Sequence, residues 1–188
     1  MRIVIARYQE DLDWANGISC CTIYNKGSPL EHKHTVLSLP NVGREGHTYL
    51  YHIIENYDHL DDHTCFLQGN PFDHTPDLEM RLKEFEKDIV PYYLLSNHVY
   101  NINLCYDPTD TSLHDLLIRG YERVFGVKKV SHEFQFGAGA QFIVSKEIIH
   151  SRSKAFYENI LQMMDRENCP PEGFMLERFW NMIFTHSE

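Results

Sequence analysis

Four short polar clusters each follow a run of branched or aromatic residues, and their side chains suit nucleotide and metal chemistry. Arg7, Glu10 and Asp11 come after Ile3-Val4-Ile5-Ala6, and Asn25 and Lys26 come after Cys21-Thr22-Ile23-Tyr24. Asn41, Arg44 and Glu45 follow an apolar run closed by Pro40, and Gln68, Asn70, Asp73 and His74 follow Thr64-Cys65-Phe66-Leu67. A carboxylate such as Glu10 or Asp11 accepts hydrogen bonds from sugar hydroxyls. The guanidinium of Arg44 is a planar fork matched to phosphate, and backbone N–H groups at the start of a helix favour anions. Gly69 lets the backbone approach a ligand closely. Asn70, Asp73 and His74 offer oxygen and nitrogen donors suited to a divalent ion.

Two later stretches add candidates. Small residues at Gly137, Ala138, Gly139 and Ala140 precede an apolar run, leaving room for a substrate with Gln141 directed at it; a β-bulge is the plainer reading. Glu177 and Arg178 lie in the last helical stretch. A carboxylate on a rigid element suits a general base, although the pair by itself reads as a surface ion pair on an amphipathic helix.

The elements that must position these groups alternate between strand and helix. Strands are expected at residues 2–6, 20–24, 35–39, 64–68 and 99–106, with a Gly-interrupted strand or strand pair at 134–145. Helices are expected at 45–57, at 77–88 with Thr75 as N-cap and Pro76 first, at 112–125 closed by Gly126, and at 153–166 and 173–184. In the last helix Leu176, Phe179, Trp180 and Ile183 form the buried face, with Glu177, Arg178 and Asn181 off it. The pattern predicts a single α/β domain over residues 1–188, with a mostly parallel or mixed central sheet flanked by helices. Ligands in such sheets bind outside the carboxyl ends of the strands, so the four clusters are expected on one rim.

Composition limits the partners. The chain has 188 residues and a formal charge of −10, which argues against a nucleic-acid polymer but not against a single nucleotide held by a local cation cluster. Twelve histidines call for a check of metal motifs; there is no HExxH and no paired CxxC. His59 and His63 flank a turn at the far end of the sheet, and His32 and His34 lie in a loop. Five cysteines, with Cys20 and Cys21 adjacent and Cys65 and Cys105 in apolar strand-like runs, read as reduced thiols. With no apolar run of transmembrane length and a start directly in a strand, the expectation is a cytoplasmic protein, or an excised domain of a larger one.

The stretches ARYQEDLDW, YNKG, LPNVGREGHTYLYHIIENYD, FLQGNPFDH, GAQFIVS and LERFWNMIF, in that order, resemble a family catalogued as a domain of unknown function, found in fungi, algae and some large viruses and related to glycosyltransferases. The resemblance runs from residue 3 to 184, with GREGHTYL and FLQGNPFDH as its most specific pieces. It implies the A-type glycosyltransferase fold and a nucleotide-diphosphate sugar as co-substrate. In that layout Asn41 and Gly43 match an N-x-G loop, residues 136–145 take the acceptor role, and Glu177 is the catalytic carboxylate. The position of the Asp-x-Asp metal motif reads Gln68-Gly69-Asn70, so Asp73 and His74 would have to complete a site for Mn²⁺ or Mg²⁺.

The expectation is a glycosyltransferase that moves a sugar from a nucleotide-diphosphate sugar to the hydroxyl of a carbohydrate or glycan acceptor. Arg7, Glu10, Asp11, Asn25, Lys26, Asn41, Arg44, Glu45, Gln68 and Gln141 would bind substrate. Glu177 and Asp73 would do the chemistry, and Asn70, Asp73 and His74 would hold the metal. A non-catalytic nucleotide- or carbohydrate-binding module is the alternative. A metal-dependent phosphoesterase ranks below both, because residues 5–14 contain no histidine for a two-metal site.

Overall fold

The computed structural model describes residues 1–164 and 167–185. The first strand, β1 (Arg2–Arg7), alternates its branched side chains across the sheet, as the period of two requires. Val4 joins one core layer, and Ile3 and Ile5 join the other. Parallel neighbours β2 (Cys21–Asn25) and β4 (His63–Gln68) flank it, and β3 (Thr35–Ser38) adds in parallel outside β2. Between β3 and β4 the chain crosses over through α1 (Arg44–Glu55). Burying Leu50 and Ile53 of α1, at ~1.5–3 kcal/mol each, outweighs the ~1–2 kcal/mol of a left-handed backbone at its first residue.

After β4 come α2 (Leu78–Lys87), β5 (Tyr92–Leu94), β6 (Val99–Asn103), α3 (His114–Phe125), β7 (Glu133–Gly137) and β8 (Phe142–Ser145). Three helices close the chain: α4 (Lys146–His150), α5 (Lys154–Met164) and α6 (Pro171–Thr185). The central sheet has six strands in the order β3-β2-β1-β4-β8-β5, with β8 antiparallel to β4 and β5 antiparallel to β8. It is therefore a mixed α/β sheet flanked by helices. One face carries α1, α5 and α6, and the other carries α2 and the segment around Leu12 and Ala15. Strands β6 and β7 form a separate two-stranded ribbon against α6.

Several expectations change. Of the two readings of residues 134–145, the structure has the Gly-interrupted pair of strands and not one bulged strand, and the two are in different sheets: β7 belongs to the ribbon and β8 to the central sheet. The switch occurs at Gly139 and Ala140, both at positive φ (85° and 50°). Thr75 does not cap α2. Its buried hydroxyl donates to the Leu95 carbonyl, and Asp77 takes the N-cap position. Cys105 is exposed, in the turn after β6, because that strand ends at Asn103. Arg178 is buried, because the ribbon covers the side of α6 that an isolated amphipathic helix would leave to solvent. Short strand β5 and helix α4 were not expected, being too brief for a periodic signal.

Candidate functional site

The four parallel strands β1 to β4 end on the same edge, and a cleft of about 300 Å³ opens there. It lies where the strand order reverses: from β1 the chain steps outward through β2 and β3, then returns to β4 on the other side. Such a switch point separates the loops on either side and leaves a crevice. Arg7, Glu10, Lys26, Asn41, Arg44, Glu45, Gln68, Asn70 and Asp73 all line it, joined by Tyr8 and Asn168. The rim expected from the strand ends is thus one surface in space.

The loops after β1 and β4 are locked to each other. The Trp14 indole Nε1 donates to the Gly69 carbonyl at 3.0 Å, and Trp14 meets Phe72 edge-on. A Cβ at Gly69 would come within 2.5 Å of a Glu10 carboxylate oxygen, so a larger residue there would push the Glu10 side chain aside. Glu10 also accepts from the N–H groups of Tyr8 and Gln9 at 2.7 and 3.1 Å, which curls the loop and presents Tyr8 to the cleft.

The cations are held in an unusual way. Arg7 is buried and donates to the Glu10 carbonyl at 2.9 Å, the Asn25 amide oxygen at 2.7 Å and the Ser28 carbonyl at 3.0 Å. Lys26 donates to the carbonyls of Val42 and Arg44 at 2.6 and 2.5 Å. Neither has a carboxylate as an ion-pair partner among the described residues. Burial pulls the Lys26 ammonium down to about 8, with Glu45 pulling the other way. Arg44 does have an acid beside it, Glu45 at 3.6 Å, and its guanidinium lies 4.4 Å over the Phe174 ring. Burial pushes the Glu45 carboxyl above the usual carboxylate range, against the pull of Arg44.

The start of α1 departs from the expected anion hole. The N–H groups of Gly43 and Arg44 donate to the carbonyls of Glu167 and Asn168 at 2.8 and 3.3 Å. Arg44, at φ 51°, is one of few non-glycine residues with positive φ. These bonds and the Lys26 contact to its carbonyl hold that conformation. The strain serves to aim a side chain rather than to free backbone donors.

Other expected residues lie outside the cleft lining. Asn25 is buried and orients Arg7. Asp11 accepts from the Asp13 N–H at 2.8 Å, in its own turn. Gln141 is buried and donates to the Pro71 carbonyl and the Thr75 hydroxyl at 3.0 and 3.1 Å, fastening the β4 loop to the entry of β8. His74 packs its ring against Gly139, where a Cβ would come within 2.4 Å of the imidazole. Asn70, by contrast, does line the cleft, with its side-chain oxygen accepting from the Phe72 N–H at 3.4 Å. Among the described residues no group of three His, Cys, Asp or Glu side chains is placed to hold a metal ion. Of the three described carboxylates lining the cleft, Glu10 is engaged by backbone N–H groups and Glu45 lies beside Arg44, which leaves Asp73 with the Gln68 and Asn70 amides as a set that suits an ion completed by substrate phosphates and water.

Glu177 approaches from α6. One oxygen accepts from the Gly139 N–H at 2.6 Å and the other faces an Arg178 nitrogen at 3.4 Å. Arg178 in turn binds the Asp107 carboxylate and the Thr109 hydroxyl. The carboxylate thus braces the turn between β7 and β8. Sequence reasoning passed over Tyr8, although it lies inside the first polar cluster, and over Asn168, which reaches the rim from a distant part of the chain and leaves no local signal.

A family model described as "Protein of unknown function (DUF3431)" matches residues 3–92 and 95–188. No curated protein and no solved structure matches the chain.

Proposed function

This chain belongs to the DUF3431 family, and from the geometry of its cleft we propose that it is a glycosyltransferase acting on a nucleotide-diphosphate sugar. The observation that carries the reading is a pair of cations, the buried Arg7 and the half-buried Lys26, held by carbonyl and amide oxygens instead of carboxylates at a strand-order switch point. Buried charges in proteins are normally paired. Carbonyl dipoles hold these two in place but leave their net charge available to an anionic ligand, and Arg44 adds a third cation on the same wall. A diphosphate meets that demand. Tyr8 and Glu10 offer a ring face and a carboxylate to the nucleoside.

In this reading the acceptor hydroxyl attacks the anomeric carbon in line with the departing diphosphate. The bond from that carbon to the diphosphate oxygen breaks, and the leaving group takes the electron pair. Arg7, Lys26 and Arg44 face the charge that develops on it, and such preorganised stabilisation is commonly the largest catalytic contribution. The hydroxyl proton passes to a carboxylate. Asp73 lines the cleft and takes that role. Glu177, with its oxygens engaged by Gly139 and Arg178, serves as a positioning residue for the acceptor turn. Mn²⁺ or Mg²⁺, when bound, would supply further neutralisation of the diphosphate, and Asp73 with Gln68 and Asn70 is the set that would hold it.

Calorimetric titration of UDP- and GDP-sugars, with and without Mn²⁺, tests the proposal. Saturable binding that Arg7→Met weakens supports it. A folded protein that binds none of these sugars in either condition rules it out. Binding with no sugar transfer to any acceptor, unchanged by Asp73→Asn, would instead identify a nucleotide-binding module.

A further inference from the structure

Away from the cleft, one tip of the molecule combines exposed apolar side chains with a cluster of cations. Val127 and Val130 lie in the loop from α3 to β7 and are 53% and 64% exposed; Tyr106, just past β6, is 60% exposed. The two segments are fastened together. The Asn103 side-chain oxygen accepts from the Ser131 hydroxyl and the His132 N–H, each at 3.1 Å, and the Leu104 N–H donates to the His132 carbonyl at 3.0 Å. A bridge between Asn103 and Tyr106 closes the turn. The tip is therefore a braced double loop, not a loose strand end.

Charge at this tip opposes that of the chain. Residues 119–130 hold Arg119, Arg123, Lys128 and Lys129 against Glu122 alone, in a protein of formal charge −10. Arg119, Arg123 and Lys128 are exposed, and Lys129 reaches across the Tyr121 ring at 5.4 Å. The other acids near these segments are Asp115, a turn earlier on α3, Glu133, at the start of β7, Asp110, and Asp107 beside Tyr106, which is buried against Arg178. Helix α3 already buries its apolar side through Leu117, Tyr121 and Val124, so the helix itself has no free face. What is exposed is two valines and a tyrosine on fastened segments, with four cations on the same stretch of chain as the valines.

We propose that this tip docks the protein on an anionic membrane surface, with Val127, Val130 and Tyr106 entering the headgroup boundary and the four cations facing acidic lipid heads. Apolar residues on a projecting loop insert into an interface without needing a complementary groove, and tyrosine favours that depth. Basic residues near an anionic leaflet add roughly fivefold each to partition. The docking proposed is peripheral, through a few side chains and charges; no helix among the described residues is long and apolar enough to cross a membrane. This inference stands apart from the reading of the cleft, which shares no residue with the tip.

Co-sedimentation of the full chain with phosphatidylcholine vesicles, with and without phosphatidylserine, tests it. Partition is expected only onto the phosphatidylserine vesicles and is expected to be lost as salt shortens the screening length from ~10 Å to ~3 Å. Lys128→Glu with Lys129→Glu is expected to weaken it by about 25-fold or more. Val127→Asp with Val130→Asp is expected to abolish it, with the thermal midpoint unchanged in both variants. Tyr106→Trp is expected to shift its emission to the blue on vesicles. Absence of partition, partition indifferent to these substitutions, or a self-associating chain that the valine variant turns into monomers without any vesicle binding would each overturn the proposal.

Discussion

Arg178 and Asp107 form a buried ion pair, 5% and 1% exposed, that ties α6 to the loop between β6 and α3. The guanidinium also donates to the Phe174 carbonyl and the Thr109 hydroxyl and lies 4.9 Å over the Phe136 ring. It neighbours Glu177, so the same arginine braces the ribbon and the turn that ends beside the cleft. Removing one member of a buried pair strands the other charge, at about 3–5 kcal/mol. Asp107→Ala is expected to lower the free energy of unfolding by about that amount. Adding Arg178→Met to it is expected to recover part of the loss, because the unpaired charge disappears. Urea unfolding of the two variants checks both.

Lys26 sets a pH dependence for anion binding. Burial lowers its pKa from 10.5 to about 8 in the free protein, so the ammonium loses its proton as the pH rises past that value. A bound diphosphate favours the charged form. Affinity for UDP is therefore expected to be flat below about 8 and to fall by up to tenfold per pH unit above it. Lys26→Arg, charged throughout, is expected to flatten the profile. Calorimetric titrations across that range are the check.

His52 on α1 is buried beside the Tyr24 hydroxyl at 3.0 Å, and burial lowers its pKa from 6.5 to about 4. Between those two values the unfolded chain binds a proton that the folded chain refuses, so stability falls as the pH drops through that window. The loss approaches about 3 kcal/mol at the acid end. His52→Gln keeps a hydrogen-bonding group and is expected to remove this part of the acid slope, read from denaturation at a series of pH values.

Asp73 and Glu177 separate in their kinetics if the proposed chemistry holds. Asp73→Asn is expected to lower turnover by about 10²–10⁴-fold, with nucleotide binding measured without divalent ion nearly unchanged. Glu177→Gln keeps an acceptor for the Gly139 N–H, so it is expected to act mainly on KM for the acceptor, with a small change in the thermal midpoint. Equal losses of turnover in both variants would return the base role to Glu177.

Gly139 is held at φ 85° with the His74 ring against its α-carbon, and a Cβ there would approach the ring to 2.4 Å. Gly139→Ala is expected to cost about 2 kcal/mol or more from backbone strain and overlap together. His74→Ala in the same chain is expected to return the part of the overlap due to the ring, while the His74 Cβ at 2.9 Å stays. The non-additivity of the two, measured by denaturant unfolding, reports the contact.

Local chemistry along the chain determined a good deal. The branched run at residues 2–6 could bury both faces only as an interior strand, and Gly126 ended α3 in the left-handed cap its position called for. Arg7, Lys26, Arg44 and Asp73 each follow a strand, so parallel pairing alone was enough to bring them to one edge. Tertiary structure decided what those groups do there. The Glu167 and Asn168 carbonyls took up the first donors of α1, a partner no local pattern could announce. A two-residue turn with positive φ sent β7 and β8 into different sheets, and the ribbon so formed buried Arg178 and drew Glu177 onto Gly139. Periodicity reports which residues of an element share a face. Which neighbour covers that face depends on chain crossings over long separations, and these turned His74 toward Gly139 while leaving Asp73 in the cleft.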